Sequence, residues 1–332
     1  MQFDSRNRRW PIPSASNRLR VALFASFLFF PFGAVSRAGE AYAMVVSVND
    51  SPRFYGANLT PHRPLKGAEA DADAIAKLLE RQFNFPAKNV LRLKSASATH
   101  ANVKRAFEEM IARLKADDVF VFYFSGHGTQ IPDQPPFDEP DGLDEALCLY
   151  DSESTGRNLL IDDELGLWLE KIPARHVTVI LDCCHAGTGT KEVDEDIVPR
   201  FLPVPQAKPD PRSTKRPWRE VQGSAKAIDR ETLALFACQP DQQAFERRFV
   251  GQVPVGGRVG QFTHFLLEGL RDSKADADHK GFVSAREAID YAQKRMDESF
   301  NLARPHRVDQ QQPMLEATHE NAPLFRPMNR AN

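Results

Sequence analysis

Cysteine is scarce in this sequence, and neither sign of charge is in large excess. The 332 residues include four cysteines, and the formal net charge is −2. The cysteines are too few and too irregularly spaced for a disulfide framework or for a zinc site of paired Cys-x-x-Cys motifs. No basic stripe carries interleaved aromatic residues, so we expect no nucleic-acid partner.

A long apolar run occurs near the N-terminus. Five arginines precede the apolar residues 21–35, and Ser36-Arg37-Ala38 then offers small residues at both positions that a signal peptidase reads. We predict a leader over residues 1–38 that is cleaved on export, which implies a periplasmic or secreted protein. A short membrane anchor and a start codon assigned too far upstream are the alternatives, the latter implying a cytoplasmic protein.

Strands and helices alternate through most of the remaining chain. Apolar periodicity predicts strands at residues 41–48 and 90–93, with helices at residues 67–82 and after a cap at Thr99. A further strand at residues 232–237 precedes two more helices, the last capped by Ser284. This order predicts an α/β fold with a mostly parallel central sheet and helices on both faces.

Two further strands end in reactive side chains. VFVFYFSGHG at residues 119–128 ends in His127 between two glycines, and VTVILDCCHAG at residues 177–187 contains Cys183 and Cys184. The carboxyl ends of parallel strands meet at one edge of a sheet, where functional groups collect. A thiol needs a neighbouring base near neutral pH, so the pair predicts nucleophilic cysteine chemistry.

The composition changes after residue 195. Residues 196–227 are rich in proline, lysine and arginine, which predicts an exposed linker without a fold of its own. We therefore divide the chain into a large part at residues 41–195, this linker, a small part at residues 228–325 and a tail at residues 326–332.

Several ordered segments resemble those of one family. They are LKG at residues 65–67 with Asp71, YFSGHGTQ at 123–130, DGLDE at 141–145, DDE at 162–164, DCCHAG at 182–187, ACQPDQ at 237–242 and GQFT at 260–263. The chain resembles a caspase-like cysteine peptidase, closer to metacaspases and orthocaspases than to animal caspases. The resemblance implies the caspase-like fold and cleavage of protein or peptide substrates.

The same resemblance implies roles for the two reactive segments. The family motif makes Cys184 the nucleophile and His127 the base, with the backbone N–H groups of Gly128 and Cys184 holding the oxyanion. Adjacent residues of an extended strand point to opposite faces, so Cys183 is expected to be a small buried residue. A redox or metal-binding Cys183–Cys184 pair is a rival interpretation, as is a catalytically silent scaffold.

Specificity is implied by two aspartates that match the acidic pocket of metacaspases. Asp71 and Asp182 would receive an arginine or lysine side chain through charge-assisted hydrogen bonds, so cleavage after Arg or Lys is expected. For Asp71 the alternative is a solvated helix residue, since Glu69 and Asp73 lie beside it in the sequence.

Calcium is a further expectation from the resemblance. Asp144, Asp162 and Asp163 match metacaspase calcium ligands and lie in or after an acidic loop at residues 133–151. Where the family places another aspartate, this chain has Lys191. The alternative is that these carboxylates solvate a loop and cap a helix. No cofactor is required for the chemistry itself.

An exposed basic linker in a peptidase that cuts after basic residues predicts self-cleavage. The candidate sites are Arg200, Arg212, Lys215 and Arg219, whereas Arg216 precedes a proline and is a poor site. We expect the cut pieces to remain associated, because strands on both sides of the linker belong to one sheet. The protein is expected to be a monomer.

Overall fold

The computed structural model describes residues 39–54, 64–135, 137, 139, 141–184, 197–204, 230–249, 257–301 and 311–326. The predicted leader lies outside the described residues and stays a prediction. Within the described ranges, no helix is both long and apolar enough to cross a membrane.

The described strands and helices follow the predicted alternation. The strands are β1 (Ala41–Ser47), β2 (Val90–Lys94), β3 (Val119–Ser125), β4 (Gly128–Pro132), β5 (Leu143–Cys148), β6 (Leu159–Ile161), β7 (His176–Asp182), β8 (Ile197–Pro199), β9 (Glu231–Phe236), β10 (Phe245–Arg247), β11 (Val259–Gly260) and β12 (Met314–Ala317). The helices are α1 (Ala68–Arg81), α2 (His100–Arg113), α3 (Asp162–Lys171), α4 (Gln261–Leu270) and α5 (Ala285–Asn301).

The central sheet has the predicted mostly parallel character. In the described part of the chain its strand order is β12-β9-β7-β3-β1-β2, and β12 alone pairs antiparallel to its neighbour. Alternate residues of β3 enter different apolar clusters: Tyr123 packs on the side of α1, α4 and α5, whereas Phe122 and Phe124 pack on the side of α2 and α3. Helices thus cover both faces, and the strands between them are buried.

Side-chain caps fix two of the helix starts as predicted. The Asn102 N–H donates to the Thr99 hydroxyl over 3.3 Å at the start of α2. At the start of α5, Ser284 accepts from the Glu287 N–H, and the Glu287 carboxylate accepts from the Ser284 N–H over 2.9 Å. The second arrangement is a reciprocal capping box, which satisfies backbone donors that the helix leaves unpaired.

Among the described residues, two smaller antiparallel sheets accompany the central one. One has the order β4-β5-β6 and the other β11-β10-β8. The first corrects the acidic-loop prediction for residues 133–151, because residues 143–148 of that range form β5 and pair with β4. Leu143, Ala146 and Leu147 are buried there, and their apolar contacts favour a strand in spite of the acidic neighbours.

The second small sheet corrects part of the linker prediction. Ile197–Pro199 forms β8, an edge strand paired antiparallel to β10, and residues 200–204 continue from it along the body of the protein. An edge position suits Pro199, which has no backbone N–H to donate. Residues 205–229, including the candidate cleavage residues Arg212, Lys215 and Arg219, lie outside the described residues.

Candidate active site

The strand register brings the two reactive segments to one edge. Ser125, the last residue of β3, is paired with Asp182, the last residue of β7. The Gly126 N–H continues this ladder by donating to the Asp182 carbonyl over 3.3 Å. His127 and Cys184 each follow these paired strand ends by two residues, so both are delivered to the same carboxyl edge, as predicted.

The two adjacent cysteines face different parts of the core. Cys183 packs in the cluster that contains α2 and α3, whereas Cys184 packs in the cluster of α1 and α4. The Cys184 Sγ lies 3.8 Å from the Ala244 carbonyl oxygen, and burial raises the pKa of this thiol to about 12. Cys184 is therefore a neutral thiol in this conformation.

A segment of the chain's own predicted linker covers Cys184. The Arg200 N–H donates to the Ala244 carbonyl over 2.9 Å, which extends the pairing of β8 with β10. The Arg200 carbonyl oxygen accepts from the Gly128 N–H at 2.9 Å and from the Cys184 N–H at 3.3 Å. These are the two amides that the sequence predicted as oxyanion donors, and a peptide carbonyl lies on both.

The segment continues past this carbonyl in extended form. The Leu202 N–H donates to the Gly128 carbonyl over 2.9 Å, so Phe201 and Gly128 form a parallel bridge. The Thr129 hydroxyl donates to the Leu202 carbonyl over 2.5 Å. The backbone is therefore held on both sides of the Arg200–Phe201 peptide bond.

The Arg200 side chain enters a pocket formed by both predicted aspartates. It is 0% exposed, and its Nη2 lies 2.6 Å from Asp71 Oδ2. Its Nη1 lies 3.4 Å from Asp182 Oδ1 and donates to the Asp182 carbonyl over 2.8 Å. The Ser125 hydroxyl accepts from the same nitrogen over 2.5 Å. Asp71 is thus a buried pocket residue, and its interpretation as a solvated helix residue is wrong.

The small part of the chain supplies the other side of this pocket. The Gly260 N–H donates to Asp71 Oδ2 over 2.9 Å, and the Thr263 N–H and hydroxyl donate to Asp182 Oδ2 over 3.1 and 2.6 Å. A Cβ at position 260 would collide with the Asp182 carboxylate and lie 2.7 Å from the Arg200 guanidinium, so the pocket requires a glycine there. The GQFT segment carried a signal for these residues, but Gly260 and Thr263 were not predicted as pocket residues.

Burial and charge oppose each other in this cluster. Burial raises the pKa of Asp71 to about 7, with the Arg200 guanidinium acting to lower it and the Asp182 carboxylate to raise it. Burial also disfavours the Arg200 cation, but the carboxylates of Asp182 and Asp71 outweigh it and raise the pKa of Arg200. Arg200 therefore stays charged, and its charge allows two carboxylates to share a dry pocket.

Comparison with known proteins agrees with this geometry. A family model described as the caspase domain matches residues 41–325. The chain belongs to the caspase-domain family. It is 28% identical to "Metacaspase-3" of Arabidopsis thaliana over 70% of this chain and 60% of that protein, and 33% identical to "Metacaspase III c" of Phaeodactylum tricornutum over 40% and 41%. The chain thus spans about two fifths to three fifths of these curated relatives.

A solved structure supports the same fold. This caspase-domain chain resembles the crystal structure of a protein from Geobacter sulfurreducens with a TM-score of 0.56 and 26% identity, over 88% of this chain and 98% of that one. The predictions of a caspase-like chain of the metacaspase type and of a caspase-like α/β fold are confirmed.

The predicted calcium ligands of the caspase domain lie in a wider acidic cluster. Asp162 at the start of α3 has its carboxylate within 4.8 Å of those of Glu139 and Glu145. Burial raises the pKa of Asp162 well above its usual range, and it raises that of Asp144 to about 7, with Asp163 among the charges nearby. The sequence did not predict Glu139 and Glu145 as ligands; the proximity of Glu145 to Asp162 follows from the pairing of β5 with β6, which no local pattern specifies.

Other predicted positions have different outcomes. Arg200 was expected on an exposed linker, and this is wrong because its side chain is fully buried in the acidic pocket. Lys191 lies outside the described residues, so the expectation attached to it stays a prediction.

The pocket predicts a stability difference between two neighbouring aspartates. Asp71→Ala in a Cys184→Ala background should lower the free energy of unfolding by about 3 kcal/mol, because it leaves the buried Arg200 charge with one carboxylate fewer. Asp73→Ala on the same helix is the control: the Asp73 side chain is 40% exposed and pairs with Lys94, so about 1 kcal/mol or less is expected. Urea unfolding of both variants measures the difference, and equal losses would contradict the buried ion pair.

Proposed function

We propose that this protein is a cysteine endopeptidase that cuts the peptide bond after arginine or lysine, and that its own Arg200–Phe201 bond is its first substrate. One observation supports this above all others. The guanidinium of Arg200 pairs with Asp71 and Asp182 while the carbonyl of the same residue accepts hydrogen bonds from the amides of Gly128 and Cys184. A substrate residue preceding a scissile bond requires both contacts at once.

The proposed reaction is acyl transfer. The Cys184 thiol loses its proton to His127 as its sulfur attacks the Arg200 carbonyl carbon, and the developing oxyanion is held by the Gly128 and Cys184 N–H groups. The bond to the Phe201 nitrogen breaks, and His127 returns the proton to that amine. Water then hydrolyses the thioester, which releases the Arg200 carboxylate and restores the thiol.

The raised pKa of Cys184 is compatible with this order of events. Burial under the Arg200 segment disfavours a preformed thiolate, so proton transfer to His127 accompanies the attack. Once the segment has been cut and has left, water reaches the sulfur and the cost of forming the thiolate falls. The enzyme then accepts arginine and lysine side chains of other proteins in the vacated pocket.

The chemistry of the pocket supports basic residues over acidic ones. Two carboxylates in a buried site repel a substrate aspartate, whereas both attract a guanidinium or ammonium group, and Asp71 also accepts a charge-assisted hydrogen bond from it. The rival redox pair has little support, because Cys183 and Cys184 pack in clusters on opposite faces of the sheet. A catalytically silent scaffold would not require a peptide whose carbonyl lies on the oxyanion amides while its side chain fills the acidic pocket.

Calcium belongs to the proposal as a regulator. Glu139, Glu145 and Asp162 would supply carboxylate oxygens, with Asp144 and Asp163 beside them. Hard oxygen donors in this number suit Ca²⁺, and a bound cation would offset the mutual repulsion of the carboxylates. The strand β5 connects the two sites, since Cys148 at its end donates its N–H to the His127 carbonyl over 3.0 Å.

Export through the predicted leader is also proposed, and N-terminal sequencing of native protein tests it.

Catalysis is tested with peptide amides that end in arginine. Cys184→Ala and His127→Ala should each abolish their hydrolysis, because the nucleophile and its base are both required, whereas Cys183→Ala should retain most of it. Rates with fluorogenic Arg, Lys and Asp amides provide the measurement. Activity lost in Cys183→Ala and kept in Cys184→Ala would reverse the assignment, and a preference for Asp would remove the basic specificity.

Self-cleavage should occur at one bond. Active wild-type protein should yield a fragment that begins at Phe201, identified by mass spectrometry, and the two pieces should co-elute because β7 and β9 pair across the cut. Arg200→Ala should lose this product, whereas Arg212→Ala, Lys215→Ala and Arg219→Ala should keep it. Production of the same fragment by Cys184→Ala would show that another protease makes the cut.

Calcium should increase the rate of self-cleavage. The rate is expected to rise with added calcium and to fall in chelator, because the cation would order the carboxylate cluster beside β5. Asp162→Asn should lose most of the response, and Asp290→Asn, on an exposed face of α5, should keep it. Equal rates in chelator and in millimolar calcium, with no heat of binding in calorimetry, would contradict the calcium proposal.

A further inference from the structure

The residues that follow Arg200 alternate between buried and exposed positions. Leu202 is 2% exposed and Val204 is 8% exposed, whereas Pro203 between them is exposed. This is the period-two pattern of a strand with one face against the protein. Two aliphatic side chains thus point inward at the second and fourth positions after the proposed cut.

Both side chains enter an apolar groove that is separate from the two main core clusters. Leu202 and Val204 belong to the segment that covers Cys184, residues 197–204, and the remaining members of the cluster come from elsewhere. The other members belong to the loop after β1 and to the sheet of β4, β5 and β6; they are Phe54, Ile131, Ala146, Cys148 and Leu159, with Ile161 packed against them. The groove is therefore made by the folded body of the protein, which stays in place after a cut at Arg200.

Backbone hydrogen bonds fix which residues face the groove. The Leu202 N–H and carbonyl are bonded to Gly128 and Thr129, the first two residues of β4. Gly128 also donates to the Arg200 carbonyl, so the same strand sets the position of the scissile bond and of Leu202. Any peptide bound with its carbonyl on the oxyanion amides would place its second following residue against the groove.

We propose that this groove is a specificity site for the leaving side of peptide substrates. It takes an extended segment with an aliphatic residue at the second position after the basic residue and another at the fourth. A charged residue at the second position would be buried without a partner and is rejected. This inference rests on the proposed peptidase function, to which it adds a second selection beyond the acidic pocket.

The first experiment measures how firmly the chain's own segment is held in the groove, in a variant that cannot cut itself. Trypsin is added to the full-length Cys184→Ala protein, and the fragment beginning at Phe201 is quantified by mass spectrometry. Leu202→Asp should accelerate this cut at least tenfold, because a carboxylate cannot enter the groove and the segment lifts away. Pro203→Asp carries the same charge on the exposed side and should leave the rate unchanged. Equal rates in the two variants would overturn the proposal.

The second experiment measures selection among separate substrates. Processed enzyme is given quenched peptides of the sequence of residues 197–204 with leucine, glycine or aspartate at the position of Leu202. The leucine peptide should exceed the aspartate peptide at least tenfold in kcat/KM. Ile131→Ala should lower kcat/KM for the leucine peptide while leaving unchanged the hydrolysis of an Ile-Val-Pro-Arg coumarin amide, which has no residue in the groove.

The coumarin amide distinguishes failure of this inference from failure of the proposed function. If the amide is cleaved but the three peptides are cut equally, the groove makes no selection and the inference is overturned while the peptidase function stands. If the amide is not cleaved, the peptidase function fails, and the trypsin comparison still decides whether the groove requires an aliphatic side chain.

Discussion

The buried ion pairs of Arg200 with Asp71 and Asp182 hold residues 197–204 in the candidate active site. Asp71 comes from α1 and Asp182 from the end of β7, and each would pay a large desolvation cost without a cation between them. Arg200 meets that cost because it offers a planar set of donors, which bond to both residues and to Ser125. The N–H groups of Gly260 and Thr263 also donate to these two carboxylates, which ties the start of α4 to the same point.

In this arrangement the acidic pocket and the two oxyanion amides bind the same segment, residues 197–204, and the three form one hydrogen-bonded unit. The segment of residues 197–204 pairs with β10 before Arg200 and with β4 after it, so its backbone is bonded on both sides of the proposed cut. An extended peptide that adds to a sheet edge gains backbone hydrogen bonds whatever its sequence, and the pockets beneath it select the side chains. Occupation of the site by this segment also excludes other peptides, so the proposed cleavage would open the site.

Local patterns were sufficient for much of the fold and for the placement of His127 and Cys184 at one edge of the sheet. The apolar run before His127 and the one before Cys184 predict buried strands, and parallel pairing alone brings their ends to one edge. Thr99 and Ser284 were recognised as caps because their effect extends over one turn of helix. The linker prediction was wrong at residues 197–204, since proline and arginine indicate exposure locally, whereas an edge strand accommodates Pro199 and an acidic pocket accommodates Arg200.

The sequence by itself determined the alternation of strands and helices, and it predicted a nucleophile, its base and two pocket aspartates, because these depend on periodicity and on motifs of a few residues. Only the tertiary structure decided that Arg200 fills that pocket, that Gly260 and Thr263 complete it, and that Leu202 lies in an apolar groove. Those contacts join residues that are far apart in the chain. Their distances follow from the register of β8 with β10 and of residue 201 with β4, which no local pattern specifies.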